Sequence, residues 1–216
     1  MANGLIPESS LLLGIIPALI LLYISIKGWQ GKFIEKTLFI MFIIGIIAGF
    51  FIAIIQSQIG FSIDLLIIYP FLEQIIKTVI LNLRRFHGKQ EIIIYGLGLG
   101  LGFGSIYPPA SLLIPATNID STLDLIYVLV GAIGLLFLHG TTGAIIGYGV
   151  YQGKLPKFYL LAVLVLILAN FIRIDYQIQW LNLIIGVILY IYIQKRIIGI
   201  MTHQSEQRKR PSKSES

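Results

Sequence analysis

Long apolar runs separated by short polar connections organise this chain. At roughly 20 apolar residues per bilayer crossing, the runs predict about seven membrane-spanning helices. They cover residues 10–26, 37–58, 63–83, 91–115, 123–151, 157–172 and 178–198, the sixth being the shortest. The expected fold class is all-α: a polytopic membrane helix bundle forming one domain over residues 1–200. Residues 201–216 are polar, basic and without apolar periodicity, which predicts a disordered cytoplasmic tail.

The connections alternate in charge. Lys27, Lys32 and Lys36 follow the first run, Arg84, Arg85 and Lys89 the third, and Lys154 and Lys157 the fifth. Lys195 and Arg196 close the seventh and lead into the basic tail. The intervening connections are poor in base and hold Asp64, Asp120, Asp124 and the opposed Arg173 and Asp175. Because cytoplasmic loops are enriched in Lys and Arg, this alternation predicts an N-terminus outside and a C-terminus in the cytoplasm. The first run is preceded by Glu8 and by no Lys or Arg, so it lacks the basic region of a cleaved secretory signal and reads as a retained span.

Composition gives the same class. The chain is 56% hydrophobic and 12% charged, with a mean hydropathy of +0.89, whereas soluble domains carry about 25% charged residues. The lipid bilayer is therefore the first partner expected. A net charge of +6 does not indicate nucleic acid, because the basic residues lie in short loops without interleaved aromatic platforms. No cysteine is present, which excludes disulfides and thiolate metal ligands.

Against this apolar background a few residues stand out. Glu73 and Lys77 lie one helical turn apart inside the third run. A charge at mid-membrane costs about 2.5 to 3.5 kcal/mol on insertion scales, so such residues are either a self-neutralising i,i+4 pair or part of a site. His139, in the fifth run, is the first candidate partner, since both residues fall roughly 15 Å from the cytoplasmic ends of their helices. Pro70 removes the backbone donor that the Leu66 carbonyl would use and should kink the third helix beside the charge.

Small residues predict how the helices approach. His139, Gly143 and Gly147 share one helix face at four-residue spacing. In the fourth run Gly96, Gly100 and Gly104 form one stripe, with Gly98 and Gly102 on nearly the opposite face. Such a helix can be held between two neighbours at close range, which places it at the centre of the bundle. The same glycines superficially match a dinucleotide-binding pattern, but that pattern needs a strand before it and a phosphate-facing helix start after it. Pro108 and Pro109 should break or bend this helix, with Tyr107 at the break.

These residues, in this order, resemble the PrsW-like intramembrane proteases of the larger CAAX prenyl protease group. Glu73-Gln74-Ile75-Ile76-Lys77 is similar to the family's two glutamates followed by a lysine. Phe103-Gly104-Ser105-Ile106-Tyr107 is similar to its phenylalanine with a glutamate four residues on, and His139 occupies the place of its histidine. Three polar positions of that pattern are replaced: the second glutamate is Gln74, the later glutamate is Tyr107, and the late histidine four residues before Asn170 is Leu166. The chain also resembles the Aph-type scaffold subunit of gamma-secretase, a non-catalytic relative with seven spans, an outside N-terminus and a glycine stripe in its fourth helix.

The resemblance implies two readings, and the residues themselves suggest a third. As a peptidase, Glu73 would act as general base or carboxylate ligand, Lys77 would tune it, and His139 would be a ligand or oxyanion stabiliser. A divalent metal such as zinc would be under-liganded by Glu73 and His139 alone, because a catalytic zinc takes about three protein ligands, and Gln74, Tyr107 and Asn170 are only accessory candidates. As a degenerate pseudoenzyme, the chain would keep the fold and hold another membrane protein, or a membrane-embedded peptide, against the fourth helix. A small transporter is the third class, suggested by the broken helix and the mid-membrane charges, although no paired internal repeats are visible.

Overall fold

A computed structural model describes residues 11–27, 29–59, 62–113 and 121–198. The tail at 201–216, the turn at Gly60 and Asp120 lie outside the described residues. Among the described residues the chain is helical and contains no strand. The helices are α1 (Leu12–Ile26), α2 (Glu35–Ile59), α3 (Ile63–Leu81), α4 (Ile92–Gly104), α5 (Tyr107–Leu113), α6 (Thr122–Tyr151), α7 (Leu155–Ile172) and α8 (Trp180–Ile193). A π-helical turn, Gln194–Ile198, continues α8. Among the described residues four stretches are long and apolar enough to cross a membrane, as expected of a membrane protein: α2, the α4–α5 stretch to Leu112, α6 and α7.

The fourth predicted span is not one helix. It stops at Gly104 and restarts at Tyr107, so Pro108 and Pro109 lie in the first turn of α5, where missing backbone donors cost least. The backbone between the two helices is covered by protein. Ser105 and Ile106 are buried, and Gly14 of α1 lies so close to the Ser105 carbonyl that a Cβ there would collide with it. Irregular backbone at membrane depth is tolerated where protein covers it in this way.

Every residue of α4 is buried. Its two glycine stripes face two different helices. A Cβ on Gly96 would strike the Gly143 carbonyl, one on Gly100 the His139 carbonyl, and one on Gly104 would lie 2.9 Å from the Leu136 Cα, all on α6. On the other side, Gly98 abuts Leu38 and Gly102 the Phe42 carbonyl, both on α2. Close backbone approach supplies the van der Waals contact that holds helices together where lipid is as apolar as leucine. With α2 and α6 against its two glycine faces, α4 is buried within the chain itself among the described residues.

Helix α3 is polar inside and apolar outside. Its buried face carries Tyr69, Glu73, Gln74 and Lys77, while Ile67, Ile68, Phe71, Leu72, Ile75 and Val79 are exposed. Hydrogen bonds gather the basic connections at one end of the bundle. The Ile34 N–H donates to the Tyr95 hydroxyl (3.0 Å), Gln90 donates to the Tyr151 hydroxyl (3.0 Å), and Ser25 near the end of α1 meets the Tyr190 hydroxyl of α8 (2.6 Å).

Candidate functional site

Four helices deliver polar side chains to one buried point. Glu73, Gln74 and Lys77 come from α3, Tyr107 from the start of α5, His139 and Thr142 from α6, and Gln56 from α2. Lys77 and Gln74 are fully buried, and His139 and Glu73 keep 1% and 3% of their exposure. Of the two readings of Glu73 and Lys77, the self-neutralising i,i+4 pair is not the one seen. Among the described residues, the one ion-pair contact within 4.0 Å joins His139 Nε2 to Glu73 Oε2, at 3.9 Å. Each member of the α3 pair instead bonds to other helices.

Glu73 Oε1 accepts two hydrogen bonds, from the Tyr107 hydroxyl at 2.6 Å and from Gln56 Nε2 at 2.9 Å. Lys77 Nζ lies 2.8 Å from His139 Nδ1 and donates to Thr142 Oγ1 at 3.2 Å. With Lys77 as an ammonium, which has three donors and no acceptor, Nδ1 accepts and the neutral imidazole carries its proton on Nε2, facing Glu73. Lys77 Nζ also sits 4.9 Å from the centroid of the Phe103 ring, a cation–π contact.

Thr142 closes the network. Its hydroxyl donates to the His139 carbonyl (3.1 Å) and accepts from Lys77 and from Gln74 Nε2 (3.3 Å), which exhausts one donor and two lone pairs. The imidazole is fixed further by near-parallel rings, Phe103 at 4.9 Å and Tyr107 at 4.8 Å, each inclined by 20°. Leu166 and Leu135 belong to the apolar cluster around Phe103 and Tyr107.

Glu73, Lys77, His139, Gln74 and Tyr107 are thus brought together, whereas Asn170 has a different task. Its Nδ2 donates to the Leu66 carbonyl at 3.2 Å, the acceptor that Pro70 leaves without a helical donor. Pro70 stays inside a continuous α3. Gln56 and Thr142 were not anticipated. Gln56 has the sequence signal of any polar residue near a helix end, but Thr142 had a usable one, a hydroxyl three residues after the only histidine within a span.

The residues present do not fit a catalytic zinc. Among the described residues no group of three His, Cys, Asp or Glu converges. His139 Nδ1 faces an ammonium group, and the better-placed oxygen of Glu73 already accepts two protons from protein. Asn170 is engaged on Leu66 and Tyr107 acts as a donor, so neither supplies the missing ligand. No family model, curated protein or solved structure matches the chain.

Proposed function

We propose that this is a seven-crossing membrane protein, N-terminus outside and C-terminus in the cytoplasm, with the architecture of the PrsW-like proteases and a degenerate Glu/His centre. It works as a non-catalytic scaffold or binding subunit. One observation carries this reading: Glu73 Oε1 and His139 Nδ1 are occupied by protein groups, Tyr107 and Gln56 on the acid and Lys77 on the imidazole, which leaves Oε2 as the acid's one unbonded oxygen among the described residues. A metal ligand needs a free lone pair, which His139 Nδ1 has spent on Lys77, and a lone Oε2 facing a ring nitrogen is less than the three protein ligands a catalytic zinc takes. The topology is supported by the basic connections that share one end of the bundle. A partner, whether membrane protein or membrane-embedded peptide, has the exposed apolar faces of the outer helices available.

The test is incubation of the purified, reconstituted protein with a membrane-embedded peptide, beside co-purification from mild detergent. The expected result is no cleavage above that of Glu73→Gln, together with a stoichiometric membrane partner. Cleavage that depends on Glu73 would overturn it. One feature favours the peptidase reading instead: Glu73 Oε2 receives no hydrogen bond from the described residues and faces His139 Nε2 across 3.9 Å.

A further inference from the structure

The basic end of the bundle carries a cleft of about 130 Å³ where three elements meet. Its lining comes from Thr37 at the start of α2, from Arg85, Phe86 and Lys89 of the α3–α4 connection, and from Glu91 and Tyr95 at the start of α4. We propose that this cleft binds a phosphate group at the membrane surface. The volume suits a single tetrahedral anion, since pockets for drug-sized ligands run from about 300 Å³ upward.

Charge and rigidity both point to an anion. Arg85 and Lys89 have no carboxylate within 4.0 Å among the described residues. The Arg85 guanidinium lies 4.5 Å over the Phe86 ring, a stacking that orients its plane and leaves its N–H edge for an acceptor. Phe86 is buried and packs on Tyr95 at 5.7 Å between ring centroids. Tyr95 is itself pinned by the hydrogen bond from Ile34 N–H. Arg85 is therefore anchored on a fixed wall, with Lys89 beside it in the lining. Glu91 is the one carboxylate in the lining and opposes the anion, leaving two positive charges against one negative. The cleft lies where α2 and α4 begin and α3 ends, so it sits at the bilayer surface if the helices cross the membrane, as the proposed topology has it. Basic recesses between helices at that level receive anionic headgroups.

The experiment uses the purified full chain in detergent and counts bound lipid by native mass spectrometry. The probes are phosphatidylglycerol, phosphatidylcholine and inorganic phosphate. The expected result is one phosphatidylglycerol held in preference to phosphatidylcholine. Two lost surface charges are worth a factor of roughly 30 in affinity, and Arg85→Ala/Lys89→Ala should show that loss. Lys154→Ala/Lys157→Ala, which removes the same charge from the same end outside the cleft, should keep the lipid. Glu91→Gln should bind more tightly than the wild type. Displacement of the lipid by millimolar phosphate would identify a site open to soluble phosphate, and resistance to it a site for lipid headgroups, each in keeping with the proposal. Equal loss in the two double variants, or no loss in either, would overturn it. Thermal unfolding checks that the exposed substitutions leave the fold intact, and no outcome depends on whether the Glu73 centre is catalytic.

Discussion

Removing one oxygen from Tyr107 tests the polar centre without opening a hole in it. Tyr107→Phe keeps the ring, and with it the near-parallel contact to His139 at 4.8 Å, but deletes the 2.6 Å bond to Glu73 Oε1. Hydrogen bonds between membrane helices average about 0.6 kcal/mol and reach about 1.7, whereas bonds to charged groups are worth about 1.5 to 3. A short bond to a buried carboxylate belongs where those ranges meet, so the expected loss is about 1.5 to 2 kcal/mol. In a chain of this size that lowers the unfolding midpoint by about 3 to 8 °C. Thermal unfolding in mild detergent reads the shift, and a double-mutant cycle with Glu73→Gln reads the coupling. An unchanged midpoint, or additivity within about 0.5 kcal/mol, would refute the bond, because residues that do not interact add within that margin.

Three other substitutions probe the remaining supports. Lys77→Met leaves His139 Nδ1 without its donor and Thr142 with only the bond from Gln74, and should cost about 1 to 3 kcal/mol in the same unfolding assay. Gly100→Ala drives a Cβ into the His139 carbonyl and should destabilise by about 1 to 3 kcal/mol in the same unfolding assay. Asn170→Leu leaves the Leu66 carbonyl unsatisfied at a cost of about 1 to 3 kcal/mol. Pro70→Ala added to that variant restores a backbone N–H in register with Leu66 and should recover most of the loss; absence of recovery would show that Asn170 serves another purpose.

What the residue pattern revealed followed from local rules. Four-residue spacing assigns Gly96, Gly100 and Gly104 to one face and Gly98 and Gly102 to another whatever the neighbours are, and α6 and α2 fill those faces. Glu73, Lys77 and His139 stood out because charge and imidazole are rare in apolar runs. Spacing does not encode which helix lies opposite, so the transfer of Lys77 from Glu73 to His139 was not readable, nor was the bond from Asn170 across to Leu66. The break in the fourth run was expected at its prolines. It falls at Ser105 and Ile106 because proline fits the first turn of a new helix better than the last turn of an old one.

The most direct measurement is solid-state nitrogen NMR of the histidine-labelled protein in lipid bilayers, with His87 and His203 replaced by glutamine so that His139 reports alone. The polar centre described above requires a neutral ring with a bare, hydrogen-bonded Nδ1 coupled to Lys77 Nζ and a protonated Nε2. A ring protonated on Nδ1, or one without through-space coupling to the Lys77 amine, would contradict it.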